Sequence, residues 1–219
     1  MTLNNRRRAL MMHIQGGGRL PSEYQEVQFI ESHGREWIVP GITANRSTKI
    51  NIDYAYVDST VQYAGLFGCG YADNDRAFFM LVTGAKTRMY ANFGNIARTS
   101  IKQFELDNLR HQVQLSQDGW YVDGELHCTW APQADFIAYG EFRIFGAHFG
   151  GQAKNIYAKV YSCQLYESDS KIRDFVPCYR KADGAVGMYD LCETICPLTG
   201  TPFYVNDSGS GAFTKGANV

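Results

Sequence analysis

Glu105 and Asp107, in the stretch Glu105-Leu106-Asp107-Asn108-Leu109, come closest in this sequence to a pair of carboxylates on one strand face. Side chains at i and i+2 of a strand share a face. A sugar-cleaving site needs two carboxyl groups across one bond, about 5 Å apart for retention and farther for inversion. The strand pattern Glu-x-Asp-x-(x)-Glu used for that work would need a third acid where Leu109 or Arg110 stands. The stretch therefore reads as a solvated turn, and no catalytic residue is assigned. Nucleophilic catalysis fares no better. The sequence has no Gly-x-Ser-x-Gly elbow, and Ser208-Gly209-Ser210-Gly211 reads as a turn. Cys192 and Cys196 are spaced Cys-x3-Cys without a second pair, so no zinc site is assigned. The six cysteines read as free thiols, with Cys128 a small buried hydrophobe, and the five histidines are scattered.

Two stretches mix an aromatic plate with groups that bond hydroxyls, the combination that sugar binding requires. The first holds Tyr71, Asp73, Asn74, Asp75 and Arg76; the second holds Tyr90, Asn92, Phe93 and Asn95. Both are read as loops and form the candidate ligand site. Asp73-Asn74-Asp75 also offers the oxygen ligands that calcium takes, although Asp and Asn form hairpin turns unaided. No cofactor is required by the sequence. Near the start, Arg6, Arg7 and Arg8 precede Leu10, Met11, Met12 and Ile14, a basic and apolar arm suited to docking on a partner subunit.

The elements that would carry these residues are strands. No window of ten or more residues shows convincing helical periodicity, whereas period-2 alternation recurs. Ile50, Ile52, Tyr54 and Tyr56 alternate with Lys49, Asn51, Asp53 and Ala55. Residues 111–130 predict a three-stranded meander, with Val113 and Leu115 alternating against Gln112, Gln114 and Ser116. Its turns fall at Asp118-Gly119 and Asp123-Gly124. Further strands are expected at 62–71, 77–83, 87–93, 141–147 and 156–166, the last covered on both faces. About ten to thirteen short strands and no helix in 219 residues predict an all-β fold, an antiparallel two-sheet jelly-roll sandwich.

Of the 219 residues, 45% are apolar and 20% charged, as in globular proteins. The formal charge of −1 is uneven: residues 1–19 carry +4 and the remainder −5. An acidic body argues against a nucleic-acid duplex as partner. The apolar stretches are too short for a membrane span, and residues 9–14 are too short for a signal-peptide core. The sequence thus divides into a basic arm with a Gly16–Gly18 linker, residues 1–19, and one domain, residues 20–219.

Two blocks resemble a known family. The first is Leu20-Pro21-Ser22-Glu23-Tyr24-Gln25-Glu26-Val27-Gln28-Phe29-Ile30-Glu31-Ser32, followed by Trp37-Ile38 and Gly41-Ile42. The second is Tyr161 to Tyr166, Arg173-Asp174-Phe175-Val176-Pro177-Cys178-Tyr179-Arg180-Lys181-Ala182-Asp183-Gly184, Gly187-Met188-Tyr189-Asp190 and the Gly-rich stretch 209–216. Together they resemble the concanavalin A-like, laminin-G-like domains of phage and prophage virion proteins, especially tail and receptor-binding regions. Trp120–Gly124 matches the family's Trp-x-Val-Asp-Gly-like stretch. The resemblance implies a jelly roll and a structural role in a virion assembled in the host cytoplasm. It also implies several symmetric copies per particle and a lectin-like, carbohydrate-binding or adhesive role in host attachment. In this reading the arm docks on other virion proteins and a host-surface glycan is the ligand; a purely structural capsid or tail decoration is the alternative, then a polysaccharide-cleaving enzyme. The matching blocks read as architectural, with Arg173–Asp174 or Arg180–Asp183 as a salt bridge. Specificity would lie in the loops at 58–62, 71–77, 83–88 and 148–154. Cys192, Cys196 and Pro197 depart from the family pattern, and a local Cys192–Cys196 disulfide after lysis is one expectation for them.

Overall fold

The computed structural model describes residues 19–58, 63–70, 76–83, 85, 87–95, 98–100, 104–149 and 152–219. The described residues form two β-sheets and no helix, so none crosses a membrane as a long apolar helix. The first sheet has twelve strands. They are β1 (Tyr24–Glu26), β2 (Ile30–His33), β3 (Thr48–Asp58), β7 (Arg98–Ser100), β9 (Arg110–Ser116), β10 (Gly119–Val122), β11 (Glu125–Trp130), β15 (Tyr157–Glu167), β16 (Ser170–Arg180), β17 (Val186–Asp190), β18 (Phe203–Tyr204) and β19 (Thr214–Lys215). The second, of seven strands, comprises β4 (Gly65–Gly70), β5 (Ala77–Val82), β6 (Arg88–Gly94), β8 (Phe104–Glu105), β12 (Arg143–Ile144), β13 (Gly146–Phe149) and β14 (Gln152–Asn155). Pairing is antiparallel except where β13 and β14 lie parallel to β4. The molecule is therefore an all-β, mostly antiparallel, two-sheet sandwich.

Alternation explains why the sheets face each other. On β3, Ile50, Ile52 and Tyr54 are buried, as are Val113 and Leu115 on β9 and Val160, Cys163 and Leu165 on β15. They share one core with Leu66, Phe67, Phe78, Met80, Ala91 and Phe93 of the opposing sheet. Phe67, Phe78 and Phe142 meet at centroid separations of 5.9–6.4 Å, a tilted and offset packing that suits ring quadrupoles. The 111–130 meander forms as the alternation predicts. Its second turn places Asp123 at φ 51° and Gly124 at φ 80°, the left-handed pair a tight hairpin needs.

Three expectations need correction. The strands covered on both faces are β4 and β5, every residue of which is buried, and not 156–166. On β15 one face is buried, while Tyr157, Lys159, Tyr161, Gln164 and Tyr166 are half-exposed, amphipathic side chains whose polar ends reach water. The expected strand 141–147 is split at Phe145 (φ 67°) into β12 and β13. Arg173 does not pair with Asp174, because neighbours on a strand point to opposite faces. Arg173 lies 3.8 Å from the fully buried Asp190 and donates to the Pro40 carbonyl at 2.9 Å and Thr194 Oγ1 at 3.0 Å. Asp174 instead accepts from Lys171 at 2.8 Å. The expected Arg180–Asp183 pair does form, at 2.6 Å, and pulls the Asp183 carboxyl down to about 2.

All six cysteines are free, and Cys192 and Cys196 are not joined. Burial pushes the Cys69 thiol up to about 12 and raises those of Cys163 and Cys178, which keeps them protonated and inert. Among the described residues no three His, Cys, Asp or Glu side chains are placed to hold a metal ion. Arg19, counted by sequence with the arm, hydrogen-bonds Glu26 of β1 through Nε at 2.9 Å.

Candidate functional site

The outer face of the first sheet carries an open groove of about 460 Å³, within the range of ligand clefts. Strand register builds its floor. Tyr121 on β10 stands opposite Gln114 on β9, Gln114 opposite Asn51 on β3, and Asn51 opposite Gln164 on β15. The four form one row across four strands, about 4.8 Å per strand. A second row, Gln112–Asp53–Ser162, runs beside it. The residues that alternate with these fill the core, so burial of Ile50, Ile52, Val113 and Leu115 holds the polar row outward.

The hydrogen-bond capacity of this floor is unevenly used. Gln164 Nε2 donates to Asp174 Oδ1 at 3.1 Å and its Oε1 accepts from Tyr166 Oη at 3.0 Å, which fixes it. The side chains of Asn51, Gln112, Gln114 and Ser162 make no hydrogen bond with any described residue. Asn51 Oδ1 is enclosed and has no hydrogen-bond partner among the described residues. A buried acceptor left unpaired costs about 1–3 kcal/mol. Rotation about χ2, a soft torsion, would present that oxygen to an incoming hydroxyl. Each free carboxamide offers two N–H donors and an accepting oxygen, matching hydroxyls that both give and receive.

Charge on the floor is neutralised. Asp53 is the one carboxylate among the lining residues, and Arg110 holds it with two 2.7 Å bonds, Nε to Oδ1 and Nη2 to Oδ2. That fork raises the Arg110 pKa further. The guanidinium also lies 4.0 Å from the centroid of the Tyr161 ring. Lys49, one step along β3, lies over Tyr166 at 4.5 Å. Tyr121 has no ring or cation contact with a described residue, which leaves a half-buried aromatic plate at one end of the row.

His111 pins that end from the core side. Its Nδ1 meets Asp123 Oδ2 at 2.6 Å and its Nε2 meets Asp107 Oδ1 at 2.8 Å. Asp123 also accepts from Gln112 N, and Asp107 from Leu109 N, each at 2.8 Å. With a carboxylate at both nitrogens, both must carry a proton to donate, so the ring is held as an imidazolium. Burial opposes that charge, but the bonds to Asp123 and Asp107 outweigh it and raise the pKa; both aspartates are lowered in return, against their own burial. Asp107 thus braces a bend within the expected turn 105–109, of which Glu105 instead ends β8, and Gly124, which lines the groove, sits on the hairpin that Asp123 anchors.

The ligand residues expected from sequence do not form this site. The strand expected at 87–93 forms as β6, so Tyr90, Asn92 and Phe93 lie on a regular strand and not in the ligand loop read around them. Phe93 is core, 5.8 Å from Trp130 and 5.1 Å from Phe136. Asn92 is buried, and Tyr90 packs edge-on against Phe79 at 5.8 Å. Their aromatic and amide composition suited a loop, but β5 and β8 bracket β6 and decide otherwise. Arg76 is exposed, with its N–H toward Asn95 Oδ1 at 3.4 Å. Tyr71, Asp73, Asn74 and Asp75, and with them the calcium loop, lie outside the described residues, as do Arg6, Arg7, Arg8, Leu10, Met11 and Met12.

The residues missed, Asn51, Gln112, Gln114, Tyr121 and Gln164, did leave a signal. The solvent face of an ordinary strand carries Lys, Glu or Thr, whereas β9 shows Gln, Gln in succession and β3 and β15 add Asn and Gln. No family model and no curated protein matches this chain.

Proposed function

We propose that this is a structural protein of a phage virion, whose sandwich is a lectin-like, jelly-roll carbohydrate-binding domain for host-surface attachment and whose residues 1–19 dock on other virion proteins. The reading is carried by the amide row: Asn51, Gln112 and Gln114 hold unspent donors and acceptors beside the open Tyr121 ring. Carboxamides bond sugar hydroxyls, and an aromatic plate takes the apolar face of a sugar ring. The resemblance of the two sequence blocks to phage virion domains supports the setting, and the basic arm on an acidic body supports docking. Arrayed copies would turn weak single sites into firm attachment. Binding proceeds without cleavage in this reading, since Asp53 is committed to Arg110 and no second acid stands among the described lining residues.

The test is an immobilised glycan array probed with the 219-residue protein and with a triple variant, Asn51→Ala, Gln114→Ala, Tyr121→Ala. The proposal expects binding that falls about ten-fold or more in the variant, each lost contact being worth about 1 kcal/mol. A folded protein silent on the array and on host cells would establish the decoration role instead.

A further inference from the structure

We infer that the groove selects uncharged glycans, those built of neutral hexose-type rings, over polysaccharides carrying carboxylate, sulfate or phosphate. The inference rests on the carbohydrate-binding reading and deepens it. A site for an anion needs a cation whose charge is not already spent, or several N–H groups converging on one point. The groove has neither among the described residues. Its one lining charge, Asp53, is negative, and Arg110 neutralises it with two of its five N–H groups in two 2.7 Å bonds. Beyond Gln164, Asp174 is bonded to Lys171 at 2.8 Å, so that cation is spent as well. Lys49 does not line the groove and rests over the Tyr166 ring. An acidic sugar laid along the row would meet a neutral Asp53–Arg110 pair and no unpaired cation among the lining residues. A neutral sugar meets carboxamides and a hydroxyl, which lose nothing by binding an uncharged partner.

The pairing also says how the preference could be reversed. Asp53→Asn removes the carboxylate and frees the Arg110 guanidinium, which stays beside the groove on the Tyr161 ring. The groove of that variant is cationic.

The experiment measures binding of the full-length protein to immobilised neutral and acidic polysaccharides by surface plasmon resonance, at about 0.05 M and 0.5 M salt, conditions that differ several-fold in screening. Wild type should bind neutral polymers with less than about a two-fold change across that range, because no charge pair crosses the interface. Asp53→Asn should gain about ten-fold or more on acidic polymers, with the gain removed at high salt. A Tyr121→Ala variant, checked for an unchanged melting temperature, should lose neutral binding. It covers the case in which Asp53→Asn fails to fold. Preference of wild type for acidic polymers, lost in Tyr121→Ala and weakened by salt, would overturn the neutral selectivity while leaving glycan binding in this groove intact. Neutral binding that Tyr121→Ala does not weaken would remove the groove as the site. Failure to bind any polymer would overturn the carbohydrate-binding reading itself.

Discussion

Replacing His111 with Gln tests the charged clamp at the end of the groove, and the effect should depend on pH with a definite sign. The folded-state pKa of His111 is raised. Its contribution is therefore complete below the unfolded value of about 6.5 and fades as pH climbs through the higher folded value. The aspartates are lowered, so their share is complete above about 3.8 and fades as pH falls through their folded values. The window of full stabilisation is thus about pH 4 to 6.5. Two charge-assisted bonds inside a protein would contribute about 3–6 kcal/mol, but water screens this pair of contacts. The carboxylates are 45% and 52% exposed, against 12% for the ring, which brings the sum to about 1–2 kcal/mol. In a domain of this size that is about 3–6 °C in melting temperature. Urea unfolding of both proteins at about pH 5.5 and pH 9.5 should show wild type ahead by that amount at the lower pH and by less than half of it at the higher. A gap of equal size at both pH values, or one that widens with pH, would refute the imidazolium.

Four further substitutions have definite expectations. Arg173→Met takes the counter-charge from the fully buried Asp190 carboxylate, whose Oδ1 keeps the Asp174 and Cys192 N–H groups, and the donor from the Pro40 carbonyl, and should cost about 3 kcal/mol or more in urea unfolding. Asn51→Val removes the orphaned Oδ1 and adds a β-branched side chain, so stability should rise by about 1 kcal/mol while glycan binding weakens about five-fold. Gly68→Ala and Gly124→Ala both fall at positive φ, 122° and 80°, yet they should differ. A Cβ at Gly68 collides with the Phe78 carbonyl and the Phe79 backbone, which cannot yield, and about 3 kcal/mol should be lost. At Gly124 nothing lies within 4 Å, leaving only the left-handed penalty of about 1 kcal/mol.

Alternation made the strands legible, because a half-buried strand must separate apolar from polar at every second residue. Ile50–Tyr54 and Val113–Leu115 did so, although the pattern breaks at Ala55, which is buried, and Tyr56, which is only partly so; the Asp123-Gly124 turn followed from backbone sterics alone. Tyr90–Phe93 was legible as part of a strand at 87–93 but was also misread as a ligand loop, because composition is silent on whether an aromatic-rich stretch is hydrogen-bonded on both sides. The groove was illegible for a different reason. Asn51, Gln114 and Gln164 are far apart in sequence and meet only through the β9–β3–β15 register, a non-local fact that no window of residues contains. Arg173 was half legible: its neighbour Asp174 was visible, but its true partner Asp190 comes from an adjacent strand.

One feature of the sheet edge bears on how the chain reaches this structure. β1 lies against β16, and β2 against β15. On their other side, β19 pairs with β2, Val27 bridges Asn218, and Val219 N bonds the Glu26 carbonyl at 3.1 Å. Gln25 and Val219, hydrogen-bonded through the Gln25 side chain, are 194 residues apart in sequence. Contacts that distant are entropically slow to form, because most of the chain must be ordered before they repay the closure. During synthesis residues 24–33 emerge before residues 214–219, and once β15 and β16 have paired with them their other edge stays open until residues 214–219 arrive. That interval is when the protein is most exposed to edge-to-edge association.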